Sequence, residues 1–438
     1  MYQLLCLVSF ILGSVAWAGA PPAEVRPAEV QDSNLHIQST VVSQEHGNFS
    51  AHYSGRNSLS RQTDQETSIT WTVFAGKRLW QGAEFYVDPE LAGGSGFNKT
   101  EGMAGFPNGE IYRVSDPAPK WSLARIYVKQ VFGLGDSQEE IKEDKNQLAS
   151  SYDQKRFTII GGRFSLNDFF DNNTYSHDPR TQFLNWVLMD NGAWDYAADT
   201  KGYSWGLYLE YNQPEWALRF ASVMIPKQAN QMQFDESFPK ARGDNLEFEY
   251  RYLASGHPGV ARILAYENYA DMGSYQTTID NSSYNMDITQ SRSMRVKYGF
   301  GINLEQELTK DLGTFFRASW NDGRTETWNF TEIDQAVSAG LSMKGSNWGR
   351  ESDTVGVALI VNGLSKDHKD YLRLGGYGFI IGDGKLSYAP EEIAEMYYLF
   401  KVMHELDLTG DYQFAEHPAY NSARGPVSIF SMRLHYEI

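Results

Sequence analysis

Hydrophobic and polar residues alternate with period two along much of this chain. In YSWGLYLEYN, Tyr203, Trp205, Leu207, Leu209 and Tyr211 share one face, while Ser204, Gly206, Tyr208, Glu210 and Asn212 share the other. Leu246, Phe248, Tyr250 and Tyr252 oppose Glu247, Glu249 and Arg251. Met294, Val296, Tyr298, Phe300, Ile302 and Leu304 oppose Arg295, Lys297, Gly299, Gly301, Asn303 and Glu305. Period two is the signature of strands with two different environments. The pattern predicts about sixteen strands, near 34–46, 66–78, 82–92, 121–132, 155–166, 202–213, 215–226, 245–255, 259–269, 292–305, 313–321, 331–343, 353–363, 392–403, 405–414 and 426–438. In the strand at 155–166, Gly161 and Gly162 bring Arg163 onto the face of Phe157 and Ile159 unless a bulge intervenes.

The connections alternate too. Long ones run around residues 47–65, 92–120, 167–201, 226–244, 268–291 and 364–391, and those between them are mostly short, such as LWQG, NQPE, GHPG and LTKDLG. An even number of strands, with long loops on one rim and tight turns on the other, predicts an all-β fold: a transmembrane antiparallel β-barrel with long extracellular loops and mostly short periplasmic turns. One short-rim connection, residues 133–154, is long; its DSQEEIKEDKNQLASSY reads as a short solvated helix.

Composition sharpens this. The mean hydropathy is −0.47, and after the first residues no apolar run is long enough for a membrane helix, yet 14% of residues are Phe, Trp or Tyr and 39 are Gly. Strands that alternate lipid-facing and lumen-facing residues average to polar, and aromatic residues at strand ends, such as Tyr203, Trp205 and Tyr211, suit interfacial girdles. A net charge of −17, from 38 Lys+Arg against 55 Asp+Glu, excludes nucleic acid as a partner, because phosphate neutralisation needs a basic surface.

Residues 1–20, with an apolar run from Leu4 to Leu12 and small residues at Ala16, Ala18 and Ala20, read as a secretory signal peptide, cleaved after Ala18 or Ala20. Residues 21–33, rich in Pro and Ala, read as a flexible periplasmic extension, and residues 34–438 as a single barrel domain. The one cysteine, Cys6, falls within the signal, so the mature chain has no thiol nucleophile, disulfide or Cys metal site. In FSMRLHYEI, Phe430, Met432, Leu434, Tyr436 and Ile438 alternate with polar residues, so the last strand runs to the final residue.

Several phrases, HYSGRNSLS, GKRLWQGAEFYVDPELAGGSG, GMAGFPNGE, LARIY, NDFFDNNTY, DPRTQFLN, WDYAADTKGYSWG and GDGKLSY, together resemble the carbohydrate-selective porins of the OprB type, from about Gly47 to the C-terminus. The resemblance implies a sixteen-stranded barrel in a bacterial outer membrane, passing sugars by diffusion. The partners it implies are sugars as solutes and outer-membrane lipid, with a homotrimer as a candidate assembly.

Sugars offer hydroxyls that donate and accept, and an apolar C–H face, so a path for them wants carboxylates, amides, Arg donors and aromatic platforms. On the strands these are Glu84, Asp88 and Glu90, a carboxylate row, facing Arg125 and Lys129 on the next strand, with Arg219 and Arg317 further along. The connection at 167–201 is too long for a structureless loop and is expected to tuck into the barrel, bringing Asp171, Tyr175, Asp178, Arg180, Trp186, Trp194, Asp195 and Asp199 to the constriction. Asp190, Asn191, Asp195 and Asp199 offer hard oxygen ligands without calcium-loop spacing, and the histidines are scattered, so neither a metal nor a cofactor is expected. There is no G-x-S-x-G or other nucleophile signature, which disfavours a barrel enzyme. A porin for an anionic solute would need a dominant Arg/Lys ladder, whereas this wall is mixed.

Overall fold

The computed structural model describes residues 30–112, 116–135 and 137–438. The signal at 1–20 and most of the extension at 21–33 lie outside the described residues. The strands are β1 (Ser33–His46), β2 (Asp64–Trp80), β3 (Ala83–Gly94), β4 (Asp116–Gly133), β5 (Gln138–Ile141), β6 (Ser150–Asp153), β7 (Arg156–Phe164), β8 (Ser204–Asn212) and β9 (Trp216–Val223). They continue with β10 (Arg242–Ala254), β11 (His257–Met272), β12 (Ser293–Thr309), β13 (Leu312–Asn321), β14 (Gln335–Gly345), β15 (Arg350–Gly363), β16 (Glu391–Met403), β17 (Leu406–Glu416) and β18 (Val427–Glu437).

Among the described residues, sixteen of these strands close a barrel in the order β1-β18-β17-β16-β15-β14-β13-β12-β11-β10-β9-β8-β7-β4-β3-β2, while β5 and β6 pair only with each other. Neighbours run antiparallel, and β1 seals the barrel against β18 from Gln38↔Glu437 to His46↔Ile429. The seam extends to the last residue, since Ile37 and Ile438 exchange both backbone hydrogen bonds at 3.0 Å. Closure gives each barrel strand a neighbour on both sides, the condition for crossing a bilayer core that offers no water to unpaired amides.

The alternation maps onto the two faces. Along β12, Met294, Val296, Tyr298, Phe300, Ile302 and Leu304 are all exposed, and between them Lys297 and Asn303 are buried inside. Tight turns such as Ser255–Gly256, both at positive φ, suit the right-handed strand twist and make one rim, the periplasmic one in barrels of this kind. The long connections gather on the other.

Three local expectations are corrected. Residues 137–153 form the β5–β6 hairpin rather than a helix. No bulge is inserted in β7, whose register on β4 and β8 is continuous; instead Gly162 takes φ +145, and Arg163 is buried, donating to Asp199 at 2.6 Å. Tyr203 stands outside β8, so the alternation does not extend to it. It is buried in the lumen, with its hydroxyl on Glu90 at 3.2 Å.

The apolar core lies inside the barrel, where the long loops pack on one another and on the inner wall. Leu59, Phe97, Met103, Phe106, Phe183, Trp186 and Leu188 meet Ile360, Ile380, Ile393 and Tyr397. Each such side chain removed from water stabilises the packed loops by about 1.5–3 kcal/mol.

Candidate functional site

The connection 165–203 leaves the barrel from β7 and is fixed around the inner wall, strand after strand. The N–H of Asp171 donates to Glu247 on β10 at 2.7 Å, and that of Thr174 to Glu305 on β12 at 2.5 Å. Asp171 takes a left-handed φ of 55, a conformation Asp tolerates better than most residues. Its carboxylate is held by Arg317 on β13 at 3.0 Å and by Asn303 at 2.6 Å. Further on, Glu395 on β16 accepts from the N–H groups of Leu184 and Asn185 at 2.5 and 3.1 Å, and Arg433 on β18 donates to the Gln182 carbonyl at 2.9 Å. In the closed strand order β16 stands nearly opposite β7, so the loop crosses the lumen.

A second loop segment, 95–112, is zipped to it. Trp186 donates its backbone N–H to the Phe106 carbonyl at 3.0 Å and its indole N–H to the Asn108 carbonyl at 2.8 Å. Asn185 caps the short helix Trp186–Met189 through the Val187 N–H and donates its amide to the Gly105 carbonyl at 3.0 Å. Arg180 donates to Glu110 at 3.0 Å. Gln44 and Gln413 of the wall both donate to the Pro107 carbonyl, at 2.8 and 2.9 Å.

With the loops leaning on the arc from β10 to β18, an off-centre cavity of about 660 Å³ remains against β1–β4, β7 and β8. Its lining is polar, aromatic and of both charge signs. Arg125 donates to both oxygens of Asp168 at 2.7 and 2.6 Å, a bidentate geometry that fixes the guanidinium plane, and that plane lies 5.2 Å from the centre of the Tyr203 ring. Glu90 receives Thr72 at 3.1 Å and Tyr203 at 3.2 Å. Burial would raise the Asp178 carboxyl, but Arg180 and then Lys145 outweigh it and hold the group below the usual carboxylate range.

Seven of the residues singled out from the sequence line this cavity: Glu90, Arg125, Lys129, Asp178, Arg180, Trp186 and Asp199. The row on β3 pairs in register with β4, Glu84↔Lys129 and Asp88↔Arg125, with ion pairs at 3.1 and 3.4 Å. Glu84 and Asp88 are themselves wholly buried and stand behind the lining. Six others do structural work away from the cavity. Asp171 and Arg317 are the anchor described above. Tyr175 packs against the apolar loop core. Trp194 is buried with its indole N–H on Asn245 at 2.9 Å. Asp195 accepts three backbone N–H groups, from Trp328, Asn329 and Phe330, at 2.8–3.1 Å. Arg219 is occupied by Glu210, Glu247 and Glu249 at 2.8–2.9 Å.

Among the cavity residues that escaped the sequence reading are Glu110, Tyr112, Asp168 and Tyr203. Glu110 ends the GMAGFPNGE phrase and Asp168 sits in NDFFDNNTY. A search for the partners of Arg180 and Arg125 within those phrases could have found both.

A family model described as carbohydrate-selective porin, OprB family, matches residues 52–437. Among solved structures, the chain is similar to OprB of Pseudomonas putida at high pH, with 16% identity, a TM-score of 0.71, and 93% of this chain and 94% of that one covered. It is also similar to the outer membrane channel DcaP of Acinetobacter baumannii, with 10% identity, a TM-score of 0.51, and 93% and 98% covered. At these identities the likeness extends to the fold. No curated protein matches the chain.

Proposed function

Because this chain belongs to the carbohydrate-selective porin, OprB family, we propose that sugars cross the outer membrane by passive diffusion through the off-centre cavity left by the 165–203 loop. It is an outer-membrane channel and not an enzyme. The observation that carries the reading is the pairing of charges at the lining: Arg125 with Asp168 and Arg180 with Glu110 within it, and Asp199 of the lining with the buried Arg163 behind it. Paired charges present hydrogen-bond donors and acceptors side by side with little net field. They suit a neutral solute that both donates and accepts, and each contact is weak enough to be exchanged. Tyr112, Tyr196 and Tyr203 supply flat surfaces for the C–H face.

We assign sugar contact to the cavity residues Glu90, Arg125, Lys129, Asp178, Arg180, Trp186 and Asp199, and to Glu110, Asp168 and Tyr203 with them. The exposed apolar band meets lipid and, if the candidate homotrimer forms, in part a second copy. Export would use the signal at residues 1–20. Single-channel recordings with and without a panel of mono- and oligosaccharides test the reading. Sugar-dependent block of the ion current is expected, and an unblocked current with strong anion preference would favour a channel for anionic solutes instead.

A further inference from the structure

Among the described residues, the connection between β4 and β7 is the one long segment on the rim of short turns, and although its β5 strand is mostly exposed, its tip does not stay in solvent. From the β5–β6 hairpin, the turn 142–149 bends back into the barrel mouth and is tied to three strands. Asn34 on β1 donates to the carbonyls of Asp144 and Gln147, both at 3.1 Å. On β3, the Tyr86 hydroxyl accepts the Leu148 N–H at 3.1 Å, Asp88 accepts from Asn146 at 2.8 Å, and Glu84 accepts the Tyr152 hydroxyl at 2.6 Å. Lys145 reaches Glu437 on β18 at 2.6 Å. Asp88 lies five residues inside the end of β3, which at about 3.3 Å per residue places the Asn146 amide well within the lumen.

A further observation gives this turn a part in transport. Asp144, Lys145, Asn146 and Gln147 line the same cavity as Asp178 and Arg180, so a solute released from the loop constriction meets the turn next; the effect of Lys145 on Asp178 reflects the same proximity.

We propose that the inward turn 142–149 is a second selectivity element in series with the loop constriction, in which Lys145, Asn146 and Gln147 contact the sugar and limit the solute size that leaves on the periplasmic side. The sugar contacts rest on the function proposed above; the narrowing does not.

Two variants test this. In one, residues 142–149 are replaced by Asn-Gly, which joins β5 to β6 directly. In the other, Lys145 and Asn146 are both changed to Ala, leaving the backbone in place. Folding is checked by heat-modifiable electrophoretic mobility, then single-channel conductance in plain KCl and liposome swelling rates for mono-, di- and trisaccharides are measured. The shortened turn is expected to raise conductance and to raise the disaccharide-to-monosaccharide swelling ratio several-fold. The double Ala variant is expected to weaken sugar block and shift ion preference toward cations, and it decides the matter if the shortened turn does not fold. Wild-type conductance, swelling ratios and sugar block in folded variants would overturn the proposal. If wild type passes no sugar, the proposed function fails and the contact role with it, while a conductance gain in the shortened variant still identifies the turn as a constriction.

Discussion

Glu395 on β16 accepts the backbone N–H of Asn185 at 3.1 Å, although Asn185 belongs to a connection that departs from β7, on the far side of the barrel. That contact, doubled by the Leu184 N–H, is one of those that hold the loop across the lumen. Glu395→Ala leaves two buried amide donors without an acceptor, each at a cost of about 1–3 kcal/mol. The loop should loosen while the barrel stays closed. The expected outcome is a noisier, higher single-channel conductance with unchanged heat-modifiable mobility.

Deleting the central part of the 165–203 loop should raise conductance further and abolish sugar block. Unchanged conductance and block would move the loop out of the pathway.

Arg317 and Asp171 form a buried pair, both almost without solvent contact. Removing one partner strands a buried charge, so Arg317→Ala should destabilise the folded protein by about 3–5 kcal/mol. Unfolding at lower denaturant concentration, followed by tryptophan fluorescence, checks this.

Arg125→Ala should act differently, because Arg125 faces the cavity and balances Asp168 and Asp88. The unpaired carboxylates should shift ion preference toward cations and weaken sugar block. Reversal potentials across a salt gradient measure the first and current-noise titration with glucose the second. Arg125→Lys should restore the charge without the bidentate fork, recovering ion preference more fully than sugar affinity.

On the outer face, Leu207 is 44% exposed, and Leu207→Arg near mid-bilayer should cost about 2–4 kcal/mol. Thr158→Arg, one strand away and lining the cavity, should fold to near wild-type yield while lowering conductance. Tyr208, the lumen-side neighbour of Leu207, is no neutral control, because its ring stacks on Phe169 at 4.5 Å and helps seat the loop.

The strands were legible because lipid and lumen impose opposite demands on alternate residues, so every strand carries its own record of which face is which. Even connection lengths could be read, since turn residues interrupt that record. What lay beyond reach depends on groups distant in sequence. Asp195 and Asp178 look alike as loop carboxylates, yet Asp195 caps three amides 133 to 135 residues away while Asp178 faces the cavity. Trp186 and Trp194 divide in the same way. The 137–153 segment misled for another reason: its charges suit a solvated helix as well as a hairpin, and its choice depends on Asn34, Tyr86 and Asp88, which no local pattern reveals. Tyr203 shows where alternation stops being informative, one residue before its strand begins.

The lean of the loops toward one arc divides labour around the circumference. From β10 to β18 the wall's ions are spent as mortar, holding the loops in place and out of a solute's reach. From β1 to β4, with β7 and β8, the wall is left free to be read by whatever passes. Solute preference can therefore be retuned on a handful of strands without disturbing the foundations of the constriction.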